Sequence, residues 1–280
     1  MGIGETRLYS LRWPDDTLRA RDLSDRSVLE QKLALLHARL APDIPGPIDF
    51  SQMLSKYLEI GKMLQVVSSS WLPERVSELE VVVFEGAQGV LLDQDWGFQP
   101  HTTWSDTTMG GAIGLLDGLD VELVRVGVVR AYATRHGAGP LPTEGTLHVD
   151  EPHNDGGFAG AFRTGAFDLQ LLKYALAVNG AVDELCVTHL DHRDAWPVCV
   201  SLGHDLDRAL RDRGRRAQTT FGEQAELTRL LLEPQLEIDE VPTSSLIEML
   251  AEHAPVEQMS HGPTRSTKVW ASTRVRRSGR

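Results

Sequence analysis

Cysteine is nearly absent from the 280 residues: only Cys186 and Cys199 occur, and they form no C-x-x-C pair. A disulfide framework is thereby excluded, and a reducing cytoplasm is the expected compartment. Aromatic residues make up only 6% of the chain. No apolar run approaches the roughly 18 residues of a membrane span, so no membrane association is expected. Residues 1–16 lack the apolar core of a secretory signal. Positive charge is also short, with 28 Lys and Arg against 40 Asp and Glu and a formal net charge of −12. That balance argues against a nucleic-acid binder, whose footprint is basic. It leaves nucleotide chemistry open, because phosphates are held locally, often by backbone N–H groups. Three familiar signatures are missing as well: the G-x-x-x-x-G-K-[ST] phosphate loop, the G-x-S-x-G elbow and the H-E-x-x-H pair.

What is present describes a globular chain. It is 41% hydrophobic and 24% charged, enough to bury a core in one large domain or two small ones. Residues 1–80 read as a helical region. Ser27-Val28-Leu29-Glu30 has capping-box form, followed by Leu33, Leu36 and Leu40 on one face. Asp49 can cap a second helix carrying Phe50, Met53, Leu54, Tyr57 and Leu58, which the Ser68–Ser70 cluster ends. Residues 81–270 read as α/β. Val81–Phe84, a run within Leu123–Tyr132, Leu185–Val187 and Val198–Val200 are short, continuous apolar stretches of the kind found in strands covered on both faces. Helices are expected at Asp168–Val178, Glu223–Leu232 and Ser244–His253. The fold class is therefore α/β, a mostly parallel sheet with flanking helices. Residues 271–280 hold four arginines and no acid, and are expected to form a disordered basic tail.

Several segments carry possible chemistry. Phe84-Glu85-Gly86-Ala87-Gln88-Gly89 places glycines and an amide side chain at an expected strand end, where open α/β sheets bind ligands. Gln88 offers both a donor and an acceptor to a purine; an exposed Gln on a glycine-rich turn is the plain alternative. Thr102–Gly111 is dense in hydroxyls and suits an anion site, or simply a capped helix start. Thr134–Glu144 holds two prolines and two residues of interest, Arg135 for a phosphate and Glu144 for a ribose hydroxyl; a purely structural loop is the plain alternative. Thr188-His189-Leu190-Asp191-His192 follows a strand. A metal site is not expected there, because the spacing sets no ligand pair on one face. A carboxylate at that strand end can instead accept two N–H bonds from a guanine edge.

Taken in order, these segments resemble adenylosuccinate synthetase. Phe84–Gly89 with Leu91-Leu92-Asp93 matches that family's FEGAQG-x-LLD. Thr103-x-Ser105-Asp106-Thr107-Thr108-x-Gly110-Gly111 is similar to TSSNTT-x-GG, and Ala131–Glu144 to AY-x-TR-x-G-x-GP-x-PTE. Thr188-x-Leu190-Asp191 resembles TKLD, and Ser260-x-Gly262-Pro263-x-Arg265 resembles S-x-GP-x-R. Gly2-Ile3-Gly4 and Arg21-Asp22-Leu23 resemble the middle of the family's chain.

The resemblance implies GTP- and Mg²⁺-dependent joining of inosine monophosphate to L-aspartate, on a P-loop-NTPase-like synthetase fold lacking its N-terminal part. It assigns Gln88 to the purine, Thr103 to the monophosphate, and the Arg135–Thr143 loop to the nucleotide. Asp191, Ser260 and Gly262 are assigned to guanine. Arg12 (or Arg7) corresponds to an arginine given across a homodimer interface. The family's GDEGKGK segment, with its catalytic acid and base, has no counterpart. The aspartate-binding loop reads Gly157–Gly165, with Arg163 as its cation, and the lysine of TKLD is His189. The expectation is a truncated or diverged synthetase, inactive alone, that forms a homodimer or needs a partner supplying the phosphate loop. The alternative is an inactive nucleotide-binding paralogue serving as an interaction or regulatory subunit.

Overall fold

The structure is a computed structural model describing residues 2–44, 46–149, 160–180, 182–216 and 220–271. The basic tail beyond residue 271, and Gly157–Ala159 of the shortened loop, lie outside the described residues. The chain divides into two compact units, Met1–Val83 and Phe84–Arg280.

The first unit is helical, with α1 (Ile3–Arg12), α2 (Arg26–Leu40), α3 (Phe50–Met63) and α4 (Trp71–Glu78). Asp25 caps α2, accepting N–H bonds from Ser27 at 2.9 Å and Val28 at 3.1 Å. The expected cap at Ser27 is thus corrected by two residues, because a carboxylate outcompetes a hydroxyl as acceptor. Asp49 caps α3 as expected, its carboxylate accepting from the Gln52 N–H at 2.9 Å. That helix ends at Met63, short of the serine cluster. Leu29 and Leu33 of α2 are fully buried with Leu23 and Leu54.

The second unit holds the α/β fold. It contains α5 (Gly110–Leu115), β1 (Val126–Arg130), β2 (Ala133–His136), β3 (Phe162–Gly165), β4 (Phe167–Asp168), α6 (Leu169–Asn179), β5 (Glu184–Thr188), β6 (Ala195–Ser201), α7 (His204–Gly214), α8 (Phe221–Leu231), β7 (Glu237–Pro242), α9 (Thr243–Ala251), β8 (Val256–Ser260) and β9 (Lys268–Trp270). The central sheet has the order β1-β5-β8-β9. It is parallel except at the β8–β9 edge. β2 and β3 form an antiparallel hairpin, and β4-β6-β7 a mixed sheet.

Val81–Phe84 corrects an expectation. It forms no strand, and Val81 and Val83 are 73% and 82% exposed. A β-branched run becomes a strand only when a neighbour satisfies its backbone, and among the described residues none pairs with it.

The core gathers around Trp196 of β6, fully buried and stacked on Tyr132 with centroids 6.0 Å apart. Helix α6 starts where the Asp168 carboxylate accepts from the Gln170 and Leu171 N–H groups, both at 3.0 Å. It stops at Gly180, whose φ of 74° a residue with a side chain resists.

Candidate functional site

The FEGAQG segment ends in a tight turn. Gln88 takes φ 70° and Gly89 φ 120°, an unusual backbone for a glutamine. A 3-10 turn over Val90–Leu92 then delivers Asp93 into the interior, 1% exposed. Its Oδ1 accepts from the Asp95 N–H at 2.8 Å and the Trp96 N–H at 3.1 Å. Its Oδ2 accepts from the Thr107 N–H at 2.7 Å and the Thr107 hydroxyl at 3.4 Å. The same hydroxyl donates to the Gly89 carbonyl at 2.8 Å, and the Thr103 N–H donates to the Leu92 carbonyl, also at 2.8 Å.

These bonds bring the two motif loops together. The Ser105 hydroxyl lies 3.5 Å from Gln88 Oε1 and 3.4 Å from Thr103 Oγ1. Gln88, Thr103 and Ser105 thus share one exposed corner rich in hydroxyl and amide donors. The rest of the hydroxyl run is used internally: Asp106 accepts from the Thr108 N–H at 2.8 Å and hydroxyl at 2.6 Å.

Arg135 and Arg163 face each other across the β2–β3 hairpin. Arg135 donates to the Ala138 carbonyl at 3.0 Å and to the His101 carbonyl at 2.9 Å, tying the hairpin loop to the Thr103 loop. Arg163 donates to Glu144 at 2.6 Å, to the Gly137 carbonyl at 2.6 Å and to the Gly139 carbonyl at 2.7 Å. In this structure the expected aspartate-loop cation thus braces the 137–144 loop, and Glu144 is its ion-pair partner. Burial, then the charges of Arg135 and Arg163, lower the His101 pKa and favour its neutral imidazole. Thr143 is fully buried, its hydroxyl donating to the Ala166 carbonyl at 2.8 Å. Its position supports the loop from beneath.

Gly139 has φ 116°, and a Cβ there would lie 2.6 Å from the Arg135 guanidinium carbon. Gly139→Ala is therefore expected to cost about 2 kcal/mol, through backbone strain and displacement of Arg135. A thermal melt checks this. A midpoint unchanged within roughly 1 °C, against the 4–8 °C expected from about 2 kcal/mol in a domain of this size, would show that the loop absorbs the methyl group freely.

The third cluster lies beyond the carboxyl ends of the parallel strands. The Ala131 N–H donates to the Thr188 carbonyl and the Leu190 N–H to the Ser260 carbonyl, each at 3.0 Å, joining the loops after β1, β5 and β8. His189 has φ 64°, and its Nδ1 lies 2.9 Å from the Thr188 hydroxyl. Its ring and that of His192 flank Tyr132 at 5.8 and 6.0 Å. Asp191 is exposed on this turn, while Ser260 is buried beside Gly262. The Ser260 hydroxyl donates to the Gly262 carbonyl at 3.1 Å. Lys268 Nζ donates to Ser260 Oγ at 2.6 Å and to the Gly262 carbonyl at 2.5 Å. The structure thus brings Asp191, Ser260 and Gly262 into neighbouring loops. Sequence reasoning missed Lys268, which lies beyond the S-x-GP-x-R signature, and gave Asp93 no role although the LLD motif contains it. Arg12 lies on α1 in the first unit, its guanidinium 4.7 Å from the Trp13 ring centroid.

Loops gathered beyond the carboxyl ends of parallel strands, with hydroxyl and carboxylate groups among them, define an open α/β protein. The profile of the adenylosuccinate synthetase family matches residues 1–225. The chain belongs to that family. It is 43% identical over 162 residues to the adenylosuccinate synthetase of Thioalkalivibrio sulfidiphilus, covering 52% of this chain and 36% of the relative. Against that of Streptomyces griseus it is 36% identical over 230 residues, covering 74% of this chain and 52% of the relative. The chain spans about half the length of the curated relatives it matches, or less. A structure of fully ligated adenylosuccinate synthetase from Plasmodium falciparum superposes with a TM-score of 0.71 at 20% identity, covering 96% of this chain and 69% of that one. The fold is therefore shared.

Proposed function

We propose that this chain provides the purine-nucleotide-binding part of an adenylosuccinate-synthetase-type ligase, acting in purine nucleotide biosynthesis in the cytoplasm. The supporting observation is the convergence of its motif loops. Asp93 fastens the Gln88 turn to the Thr103 loop, and Arg135 fastens the Thr103 loop to the β2–β3 hairpin. On this reading Gln88 addresses the purine of inosine monophosphate, and Thr103 with Ser105 its phosphate. Asp191 accepts from the N–H edge of a guanine in GTP, beside Ser260 and Gly262. The γ-phosphoryl group of GTP is transferred to the purine 6-oxygen, and the amine of L-aspartate then displaces it as phosphate, so that the C–O bond breaks as the C–N bond forms.

Among the described residues no group of three or more His, Cys, Asp or Glu is placed to hold a metal. Carboxylates near phosphates usually share Mg²⁺ with the nucleotide and water, so this chain's described residues do not build the ion's site alone. Among the described residues no helix is long and apolar enough to cross a membrane.

The proposal separates binding from turnover. Calorimetric titration with inosine monophosphate is expected to give saturable heat at micromolar to millimolar ligand, and Thr103→Val to weaken it about tenfold, the worth of about 1.4 kcal/mol. The purified chain with inosine monophosphate, GTP, Mg²⁺ and aspartate is expected to form no adenylosuccinate by absorbance. No heat at millimolar ligand would sink the nucleotide reading, and clear turnover would sink the need for further groups.

A further inference from the structure

A cavity of about 220 Å³ lies between α6 and α7, lined by none of the motif residues described above. One wall comes from α6, where Gln170, Lys173, Tyr174 and Ala177 recur at helical spacing and so share a face. The other comes from Leu210 and Arg211 of α7 and from Arg215, the residue that ends that helix. The two helices touch at Gly214, where a Cβ would lie 2.9 Å from the Ala177 Cβ and 3.4 Å from the Tyr174 ring. That close approach sets the helix spacing, so the cavity is built into the fold.

The uncharged donors on these walls are already used. The Tyr174 hydroxyl donates to the Trp96 carbonyl and Gln170 Nε2 to the Val200 carbonyl, each at 2.5 Å. What remains for a ligand is the tyrosine ring, Leu210 and the Ala177 methyl, an apolar floor.

The cations are not used. Among the described residues, the charged ends of Lys173, Arg211 and Arg215 have no ion-pair or hydrogen-bond partner. Cations close to them in the chain do: Arg208 pairs with Asp205 at 3.1 Å and Arg216 with Glu223 at 2.6 Å. No carboxylate lines the cavity. Ala217, Gln218 and Thr219, which lie outside the described residues, carry no charge. The positions of Arg211 and Arg215 at the end of α7 suit the negative end of its dipole. That does not account for Lys173, which enters from the middle of α6 and adds a third positive charge. In a chain with a net charge of −12, three like charges over an apolar floor are unfavourable until an anion joins them.

Size narrows the anion. An apolar cavity of about 150 Å³ holds benzene, whereas drug-sized ligands take about 300–1,000 Å³. One ring or its aliphatic equivalent fits here, and a nucleotide does not. We infer that the α6–α7 cavity binds a free small organic phosphate, its compact apolar body on Tyr174 and Leu210 and its phosphate at the rim among Lys173, Arg211 and Arg215. A dianionic phosphate offers three acceptor oxygens to two guanidinium groups and an ammonium, more than one carboxylate can. The inference is independent of the ligase reading.

The test is calorimetric titration of the full chain with phenyl phosphate at low ionic strength. The dissociation constant is expected below about 1 mM and at least about tenfold tighter than for inorganic phosphate or for phenol. Raising salt from about 50 to about 500 mM should weaken it severalfold. Excess inosine monophosphate should not displace it. Lys173→Gln combined with Arg215→Gln removes two charges without touching the core, and should weaken binding by about tenfold or more at an unchanged melting midpoint. In the parent protein, amide NMR shifts should move at residues 170–177 and 210–216, a readout that needs no variant. The proposal is overturned by no binding at about 10 mM, by an affinity equal to that of inorganic phosphate, by displacement with inosine monophosphate, by undiminished binding in the double variant, or by shifts confined to other residues. Binding at least about tenfold tighter to a blocked phosphotyrosine peptide than to phenyl phosphate would assign the cavity to a phosphorylated protein segment and overturn the free ligand.

Discussion

Asp93→Ala is expected to destabilise the second unit by about 3–4 kcal/mol and to abolish the nucleotide binding proposed for the Gln88 corner. One buried carboxylate receives N–H bonds from Asp95, Trp96 and Thr107, and the Thr107 hydroxyl besides. Hydrogen bonds to a charged acceptor contribute about 1.5–3 kcal/mol each, and alanine would strand the donors in an interior that water enters poorly. At roughly 2–4 °C per kcal/mol for a domain of this size, the melting midpoint should fall by about 10 °C. Asp93→Asn offers the sharper control. Its carbonyl can still accept from Asp95 and Trp96, but its amide would meet the Thr107 N–H donor to donor. The loop carrying Thr103 should therefore loosen while the turn before it survives, giving an intermediate midpoint and weaker inosine monophosphate binding. A midpoint for Asp93→Ala within about 2 °C of the parent would show that the carboxylate is not the fastening proposed.

Part of this arrangement was legible in the sequence because it is local. Asp49, Asp168 and Gly180 each act through their own backbone neighbourhood, and the helices they bound follow from short-range capping rules. The α/β class was equally legible, since Leu185–Val187 and Val198–Val200 are apolar on both sides and lie within β5 and β6. Val81–Phe84 has the same composition and forms no strand. Pairing is supplied by another segment and is not written in the run itself. The site followed the same division. The family resemblance assigned Gln88 and Thr103 to one ligand, and the loops that carry them meet. The means by which they meet was hidden, because Asp93 bonds to Thr107 across 14 residues and Arg135 to His101 across 34. Arg163 shows the limit most clearly. The family resemblance placed it as the surviving cation of a shortened amine-substrate loop. Here its charge is spent on Glu144 and two carbonyls, partners that only the hairpin register brings within reach.

Asp168→Asn is expected to raise stability at pH 8 and leave it unchanged near pH 4. Burial pushes the Asp168 carboxyl up to about 7; the Leu171 and Gln170 N–H groups oppose the shift, and the charge of Asp207 adds to it. In the unfolded chain the same group titrates near about 3.9. Below that pH both states hold the proton, and the group has no effect on stability. Between about pH 4 and 7 the unfolded state releases the proton while the folded state keeps it, so stability falls as pH rises. Above about 7 both are ionised and the full penalty persists. A shift of about three units corresponds to at most about 4 kcal/mol. Asparagine retains an oxygen to cap α6, yet carries no charge to bury. Denaturant midpoints of parent and variant should therefore coincide at pH 4 and separate progressively to pH 8, with the variant higher. Other titrating groups act alike in both proteins, so the difference between the two curves isolates this carboxyl. Parallel curves across the range would mean that Asp168 is ionised in the folded protein throughout, stabilised by the helix N-terminus it caps.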